Sequence, residues 1–191
     1  MLKRIGIAVA ALLIGGLCFA QESVDLKASP KAAGSVASTW EWKGTPKGKI
    51  GEDYNVFTKP TEVSAGIGSV KGAKFEIVKG ETKFKTENGI TALYHNNKGS
   101  ATLETIEKTK KAEYALTLDD AATVEFTVTG NGSAEASRCV VVKRGEEEVL
   151  LSINNLDQDD PVKVITLKNA PAGTYRVLMN GSRIVKISAK N

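Results

Sequence analysis

The sequence has little of the chemistry that most enzymes and metal sites require. It contains one histidine, His95, so a zinc site built from several histidines is excluded. A catalytic triad would have to use His95, and no GxSxG, HExxH or phosphate-binding glycine motif is present. Two carboxylate pairs, Asp119-Asp120 and Asp159-Asp160, sit at predicted turns, where they do not face each other as a glycosidase pair must. We therefore expect a protein that is not an enzyme. A hydrolase is the weakest alternative, and it would require two carboxylates that face each other across a cleft.

Long apolar runs are also scarce. The extended run that does occur lies at the start of the chain. Residues 5–17 are apolar, follow two basic residues and precede a tripeptide, 18–20, with small residues at both ends. This run is too short to span a bilayer, and the pattern is that of a secretory signal peptide over residues 1–20. We expect cleavage after Ala20 and export to a bacterial periplasm or cell surface. A lipid anchor on Cys18 is the alternative.

Cysteine is nearly absent from the rest of the chain. After the predicted cleavage Cys139 is the one cysteine left, so an internal disulfide is excluded. Its apolar surroundings, residues 139–142, indicate a buried and unreactive thiol.

Charge is not concentrated in one sign. The formal net charge is +4, and two of the basic residues belong to the predicted signal peptide. The remaining charges are interspersed, so the basic patch of a nucleic-acid-binding protein is missing. We expect neither a nucleic-acid partner nor a membrane span.

The chain also lacks the sustained 3.6-residue apolar period of an amphipathic helix. Turn residues instead recur about every eight to twelve residues over most of the chain, which is typical of a β-sandwich. Residues 123–129 alternate between apolar and polar side chains, and residues 138–143 are almost continuously apolar, as in a central strand. Residues 171–188 predict a β-hairpin with Asn180-Gly181 at its turn. We predict an all-β protein, a jelly-roll or similar antiparallel sandwich.

The predicted domain organisation is simple. Residues 21–38 are rich in Ser, Ala and Lys and have little to bury, so we expect a flexible linker there. Residues 39–191 are predicted to form a single sandwich domain, long enough to bury a core. Within it, residues 101–106 and 112–118 are predicted as strands, and residues 44–60, punctuated by glycine and proline, as an irregular loop.

Several short motifs, taken in order, resemble the galactose-binding-like β-sandwich modules that are appended to secreted bacterial pectate lyases. The matching segments are Trp40-Glu41-Trp42, Asn88-Gly89-Ile90-Thr91, residues 123–128, residues 138–142, Ala172-Gly173-Thr174-Tyr175 and residues 184–188. The resemblance implies non-catalytic carbohydrate binding, with a polysaccharide or other glycan as partner. Those modules usually accompany a catalytic domain, which has no counterpart in this sequence, and the resemblance transfers no defined binding residue.

Glycan sites combine an aromatic face that stacks on a sugar ring with planar side chains that bind hydroxyl groups. The candidate glycan-binding residues are Trp42, Tyr54, Tyr94, His95, Asn96 and Arg138. Three of them lie in residues 94–97, where a predicted strand ends, although a polar turn is the alternative there. Arg138 could bind the carboxylate of an acidic sugar or form a structural salt bridge. Trp40 and Trp42 share one face of a predicted strand and also suit the hydrophobic core.

Two other interpretations stay open. The first is a Ca²⁺ site, with ligands from Asn154, Asn155, Asp157, Asp159 and Asp160; their spacing does not match an EF-hand, so no cofactor is predicted. The second is a structural or adhesive envelope protein that binds a protein partner or self-assembles. An exposed aromatic platform would favour glycan binding, whereas buried tryptophans and a flat, threonine-rich sheet face would favour the adhesive role.

Overall fold

The computed structural model describes residues 21–42, 61–62, 70–79, 83–87, 89–95, 101–108 and 112–191. Within these residues the regular elements are thirteen strands and one short 3-10 turn at Ile106–Lys108. The strands are β1 (Ser23–Asp25), β2 (Ala37–Glu41), β3 (Thr61–Glu62), β4 (Ala73–Lys79), β5 (Lys83–Glu87), β6 (Ile90–Tyr94), β7 (Ala112–Leu118), β8 (Ala122–Gly130), β9 (Cys139–Arg144), β10 (Glu148–Ile153), β11 (Lys163–Ala170), β12 (Gly173–Asn180) and β13 (Ser182–Lys190). No helix in the described part of the chain is long and apolar enough to cross a membrane.

The strands form two sheets that pack face to face. Sheet I has the order β1-β11-β8-β13-β6-β5, and β2 shares one edge of β13 with β6. Sheet II has the order β10-β9-β12-β7-β4-β3. Strands β6 to β13 by themselves give the four-stranded sheets β6-β13-β8-β11 and β7-β12-β9-β10, which is the strand order of a jelly roll. The predicted all-β jelly-roll sandwich is therefore confirmed.

Alternate residues of each strand fill the space between the two sheets. In β8, Val124, Phe126 and Val128 are fully buried, while the residues between them are partly or fully exposed. Tyr114 of β7 and Tyr175 of β12 belong to the same apolar cluster and come from sheet II. Burying one large apolar side chain of this kind stabilises the fold by roughly 1.5–3 kcal/mol.

The two tryptophans lie inside this core. Trp40 is 1% exposed, and its ring centroid is 6.0 Å from that of Phe75, so it connects β2 of sheet I to β4 of sheet II. Trp42 is 4% exposed, and its ring lies 5.3 Å from that of Phe84 on β5. Trp40 therefore packs between the two sheets, and Trp42 packs against β5 of sheet I.

The turn at Asn180-Gly181 is present, but it does not make the predicted hairpin. Gly181 has a φ of 54°, a value that glycine adopts without strain. β12 pairs with β7 and β9 in sheet II, whereas β13 pairs with β8, β6 and β2 in sheet I. The apolar alternation of residues 171–188 requires each strand to face the core, but it does not specify which strand lies beside it. The sequence pattern is therefore satisfied equally well by a hairpin and by the observed crossing from sheet II to sheet I.

Residues 101–106 are likewise not the strand that was predicted. They form turns that lead into the 3-10 turn at Ile106–Lys108. Ala101, Leu103 and Ile106 are buried nonetheless, because they pack on the outer face of sheet II. These side chains pack on the outside of a sheet and not in the main core.

Residues 21–38 also differ from the flexible linker that their composition indicates. β1 adds to sheet I as a parallel neighbour of β11, and β2 begins at Ala37. The carboxylate of Asp120 accepts hydrogen bonds from the backbone N–H groups of Lys31 and Ala32 and from the hydroxyl of Ser35. These bonds use backbone groups, which a composition-based argument does not see. They also hold the pKa of Asp120 well below its usual range.

Removing the Trp40 ring should destabilise the fold strongly. For Trp40→Ala we expect a loss of about 3–5 kcal/mol in the free energy of unfolding, because a large cavity opens between the sheets. The measurement is urea unfolding followed by circular dichroism. Val164→Ala is the control, since this side chain is 48% exposed and its truncation should change stability by less than about 1 kcal/mol. Equal losses in the two variants would contradict the packing role of Trp40.

Candidate ligand-binding site

The connections that follow β6, β8 and β12 meet at one end of the sandwich, which we call the loop end. His95 follows β6, and its backbone N–H donates to the carbonyl of Ser182 at 3.1 Å. Asn131 follows β8, and its N–H donates to the carbonyl of Gly181 at 3.1 Å. The side-chain amide of Asn131 also donates to the carbonyl of His95 at 3.5 Å. These bonds bring residues from three distant parts of the chain together.

Tyr94 places a partly exposed aromatic ring beside the loop end. It lies opposite Arg183 of β13, and it follows the fully buried Leu93, so its side chain belongs to the outer face of sheet I. The other aromatic side chains of the described residues are all buried: Trp40, Trp42, Phe75, Phe84, Tyr114, Phe126 and Tyr175. Within the described residues, Tyr94 is therefore the one aromatic face on which a sugar ring could stack.

His95 is held inside the structure. The residue is 2% exposed, so its imidazole is not presented to solvent at the loop end. Arg183 is also buried, at 3% exposure. These two polar residues next to Tyr94 are therefore buried, and direct contact with a ligand would fall to more exposed neighbours.

Arg138 closes the loop that follows β8. Its Nη2 donates to Oε1 of Glu135 at 3.2 Å, and its side chain is 13% exposed. The guanidinium packs on Gly132, where an added Cβ would lie 2.5 Å from Nη2. Nε and Nη1 are buried and have no hydrogen-bond partner among the described residues. Arg138 thus forms the structural salt bridge that was the alternative to a sugar contact.

Asp157 fastens the connection after β10 to the connection after β8. Its carboxylate accepts hydrogen bonds from the backbone N–H of Ala134 at 2.7 Å and of Asp159 at 2.9 Å. These bonds, with a smaller contribution from the charge of Arg138, hold the pKa of Asp157 below its usual range. In addition, the backbone N–H of Gln158 donates to the carbonyl of Gly132 at 3.0 Å. The loop end is therefore a hydrogen-bonded platform.

The carboxylate of Asp157 has a structural role in this connection. Asp157 directs both carboxylate oxygens at backbone N–H groups. Among the described residues no group of three or more His, Cys, Asp or Glu side chains could hold a metal ion.

The predicted site residues do not all come together. Tyr94, His95 and Arg138 share the loop end, linked through Asn131 and the adjoining Gly132. Trp42 does not belong with them as a ligand contact: its ring is buried against Phe84, so it cannot offer a face to a sugar. Tyr54 and Asn96 lie outside the described residues.

Sequence reasoning missed the contribution of β13 to this site. Arg183 and Ser182 lie beside residues 94–95 through strand register and a backbone hydrogen bond. No local signal could have paired them, because the two segments are far apart in the chain and register between distant strands is not encoded in either one alone.

The fold and the loop end together define a jelly-roll β-sandwich with a hydrogen-bonded platform at one end.

No family model and no curated protein sequence matches the chain. Similar solved structures include a point variant of a family 29 carbohydrate-binding module complexed with mannohexaose, at 12% identity and a TM-score of 0.27, with 81% of this chain and 89% of that chain covered. A second variant of that module has 12% identity, a TM-score of 0.28 and the same coverage. A further family 29 module has 12% identity, covers 81% of this chain and 86% of its own, and has a TM-score of 0.26. Similarity at this level carries no argument about a ligand.

Asp157 gives a testable pH dependence at the loop end. Because its pKa is lowered in the folded state, the amide protection it provides should be present at neutral pH and be lost only as pH falls through that lowered pKa, on the acid side of the usual aspartate range. In Asp157→Ala the amides of Ala134 and Asp159 should exchange faster at neutral pH, as measured by hydrogen exchange with mass spectrometry. Asp159→Ala is the matched control, since it keeps its own N–H and the Asp157 carboxylate. Unchanged exchange in Asp157→Ala would show that other contacts hold these loops.

Proposed function

We propose that this chain is a non-catalytic carbohydrate-binding β-sandwich that contacts its glycan at the loop end, with Tyr94 as the stacking residue. The observation that carries the proposal is the position of the Tyr94 ring, partly exposed beside a platform that hydrogen bonds hold in place. A rigid platform lowers the entropy lost on binding, because the contacting groups are already ordered. The ordered series of motifs that resembles pectate-lyase modules supports the same ligand class.

The contacts would divide between stacking and hydrogen bonding. The Tyr94 ring would cover the C–H face of one sugar unit. Asn131 lies further along the loop end and carries a side-chain amide, a group that suits sugar hydroxyls. One aromatic ring gives less contact area than a platform of several, so we expect modest affinity for a single sugar unit and tighter binding to longer chains.

A structural or adhesive envelope protein is the second candidate, and a specific observation favours it. Both tryptophans are buried, and the outer face of sheet I carries hydroxyl side chains in adjoining rows. Thr39 lies opposite Ser188, which lies opposite Glu125, which in turn lies opposite Thr166. A polar face of this kind suits contact with another protein surface.

Binding to defined glycans separates the two candidates. The exported chain should bind a polysaccharide series, including mannohexaose and polygalacturonate, saturably on an array and by calorimetry. Tyr94→Ala should weaken binding about tenfold through loss of ring stacking. Adding Asn96→Ala to it should abolish binding, and Tyr94→Phe should retain most of it. Thr127→Ala, on the open face of sheet I, is the control that should bind normally.

The fluorescence of Trp40 and Trp42 reports folding in these variants, because both rings are in the core. Normal binding by a folded Tyr94→Ala variant would remove the loop end from the proposal. Absence of binding to every glycan, with a concentration-dependent increase in mass in light scattering, would support the adhesive candidate.

We also propose that the chain is exported to the bacterial envelope or beyond. Expressed in a bacterium, it should lose residues 1–20, and intact mass spectrometry should show a chain that begins at Gln21. A lipid-anchored chain would instead begin at a modified Cys18 and fractionate with membranes. A chain that keeps its first twenty residues would contradict both forms of the proposal.

A further inference from the structure

A second apolar cluster lies outside the main core. Residues 101–108 cross the outer face of sheet II, and we call this segment the strap. Its apolar side chains Ala101, Leu103 and Ile106 are at most 8% exposed. They pack with three residues of sheet II, namely Cys139, Val141 and Leu178. The strap therefore covers an apolar patch that the jelly roll itself would leave open to water.

One carboxylate fastens the strap at its end. Oε1 of Glu107 lies 3.3 Å from Nζ of Lys143, and Oε2 lies 3.2 Å from Nη2 of Arg176. The side chains of Lys143 and Arg176 are 9% and 16% exposed, so solvent screens these pairs less than it screens pairs on an open surface. Glu107 thus joins the strap to β9 and β12 at once.

Both cations also have partners outside the strap. Nζ of Lys143 donates to the carbonyl of Glu146. Nε of Arg176 donates to Glu113 at 2.9 Å, and Nη1 donates to Glu146 at 2.6 Å. Burial raises the pKa of Glu113, but hydrogen bonds from Arg176 and Lys79 outweigh that effect, and the pKa is lowered overall. Arg176 therefore keeps two of its carboxylate partners when Glu107 leaves, which lowers the cost of opening.

The strap is built as a separate turn. The backbone N–H of Thr105 donates to the carbonyl of Thr102 at 3.2 Å, and that of Lys108 donates to the carbonyl of Thr105 at 2.8 Å. The N–H of Thr102 donates in turn to the hydroxyl of Thr105 at 2.9 Å. None of the strand pairings of either sheet involves residues 101–108. The strap can therefore leave the sheet with its internal hydrogen bonds intact and without breaking a strand ladder.

We propose that residues 101–108 open locally, as a unit, from the outer face of sheet II, and that the bridge from Glu107 to Lys143 and Arg176 keeps them closed. Opening exposes the apolar patch of Cys139, Val141 and Leu178 beside two cations. The strap thereby gates access to this face while the main core stays folded. Local openings of this kind have lower free energies than global unfolding.

Cys139 is a built-in reporter of this opening. The residue is fully buried under the strap, and burial raises the pKa of its thiol to about 12. In the closed state the thiol is both protonated and out of reach of an alkylating reagent. The rate of its alkylation therefore measures how often the strap is open.

The test is alkylation of the full exported chain by iodoacetamide, with modification at Cys139 quantified by peptide mass spectrometry across a series of low urea concentrations. Local opening predicts a rate that depends weakly on urea, because little surface is exposed. Global unfolding, followed by tryptophan fluorescence, should show a much steeper dependence. If alkylation instead follows the full slope of global unfolding, the strap does not open locally and the proposal is overturned.

A matched pair of variants tests the role of Glu107. Glu107→Gln should raise the alkylation rate about tenfold, because two charge-assisted contacts to the largely buried Lys143 and Arg176 are weakened. Glu104→Gln removes the same charge from an exposed position of the same strap and should leave the rate unchanged. The urea midpoint of global unfolding should stay nearly the same in both variants. Equal rates in the two variants would overturn the fastening role of Glu107.

Discussion

The space between sheet I and sheet II can be filled only by every second residue of each strand, and the rest of this structure depends on that constraint. Val124, Phe126 and Val128 show the pattern in β8, where each lies fully buried between residues that face outward. A strand with this alternation is stable only when a second sheet covers its apolar face. The jelly-roll order supplies such a cover for every central strand.

The same constraint shapes the candidate site. Seven aromatic side chains of the described residues are used to fill the core, including both tryptophans. Ring stacking on a ligand is then left to Tyr94 within the described part of the chain. Trp40 and Phe75 illustrate the competition, since their ring centroids lie 6.0 Å apart between the sheets and neither can face a ligand. A sandwich of this size must balance core filling against surface recognition.

Polar interactions act where the apolar constraint ends. At the loop end, Asp157 and Asn131 tie connections together through backbone groups. At the opposite end, Asp120 binds the segment that follows β1. On the outer face of sheet II, Arg176 gathers three carboxylates from different parts of the chain. Each of these anchors joins segments that lie far apart in the chain.

Several elements could be predicted because their signal is local. The alternation in residues 123–129 and the apolar run after Arg138 predicted buried strands, and both are present as β8 and β9. The turn at Asn180-Gly181 was also predicted in the right place. Residues 21–38 were not predicted as ordered, since their place depends on hydrogen bonds to β11 and Asp120 that no local pattern announces.

The sequence by itself determined that the protein is an all-β sandwich and where strands with a clear local signal lie, such as β8 and β9. These properties follow from periodicity and turn chemistry, which act over a few residues. Tertiary structure alone decided that β12 and β13 enter different sheets, that Trp42 is unavailable to a ligand, and that Tyr94 lies opposite Arg183. Those outcomes depend on register and sheet assignment between distant segments. Many arrangements satisfy the same local patterns, and only packing of the whole chain selects one of them.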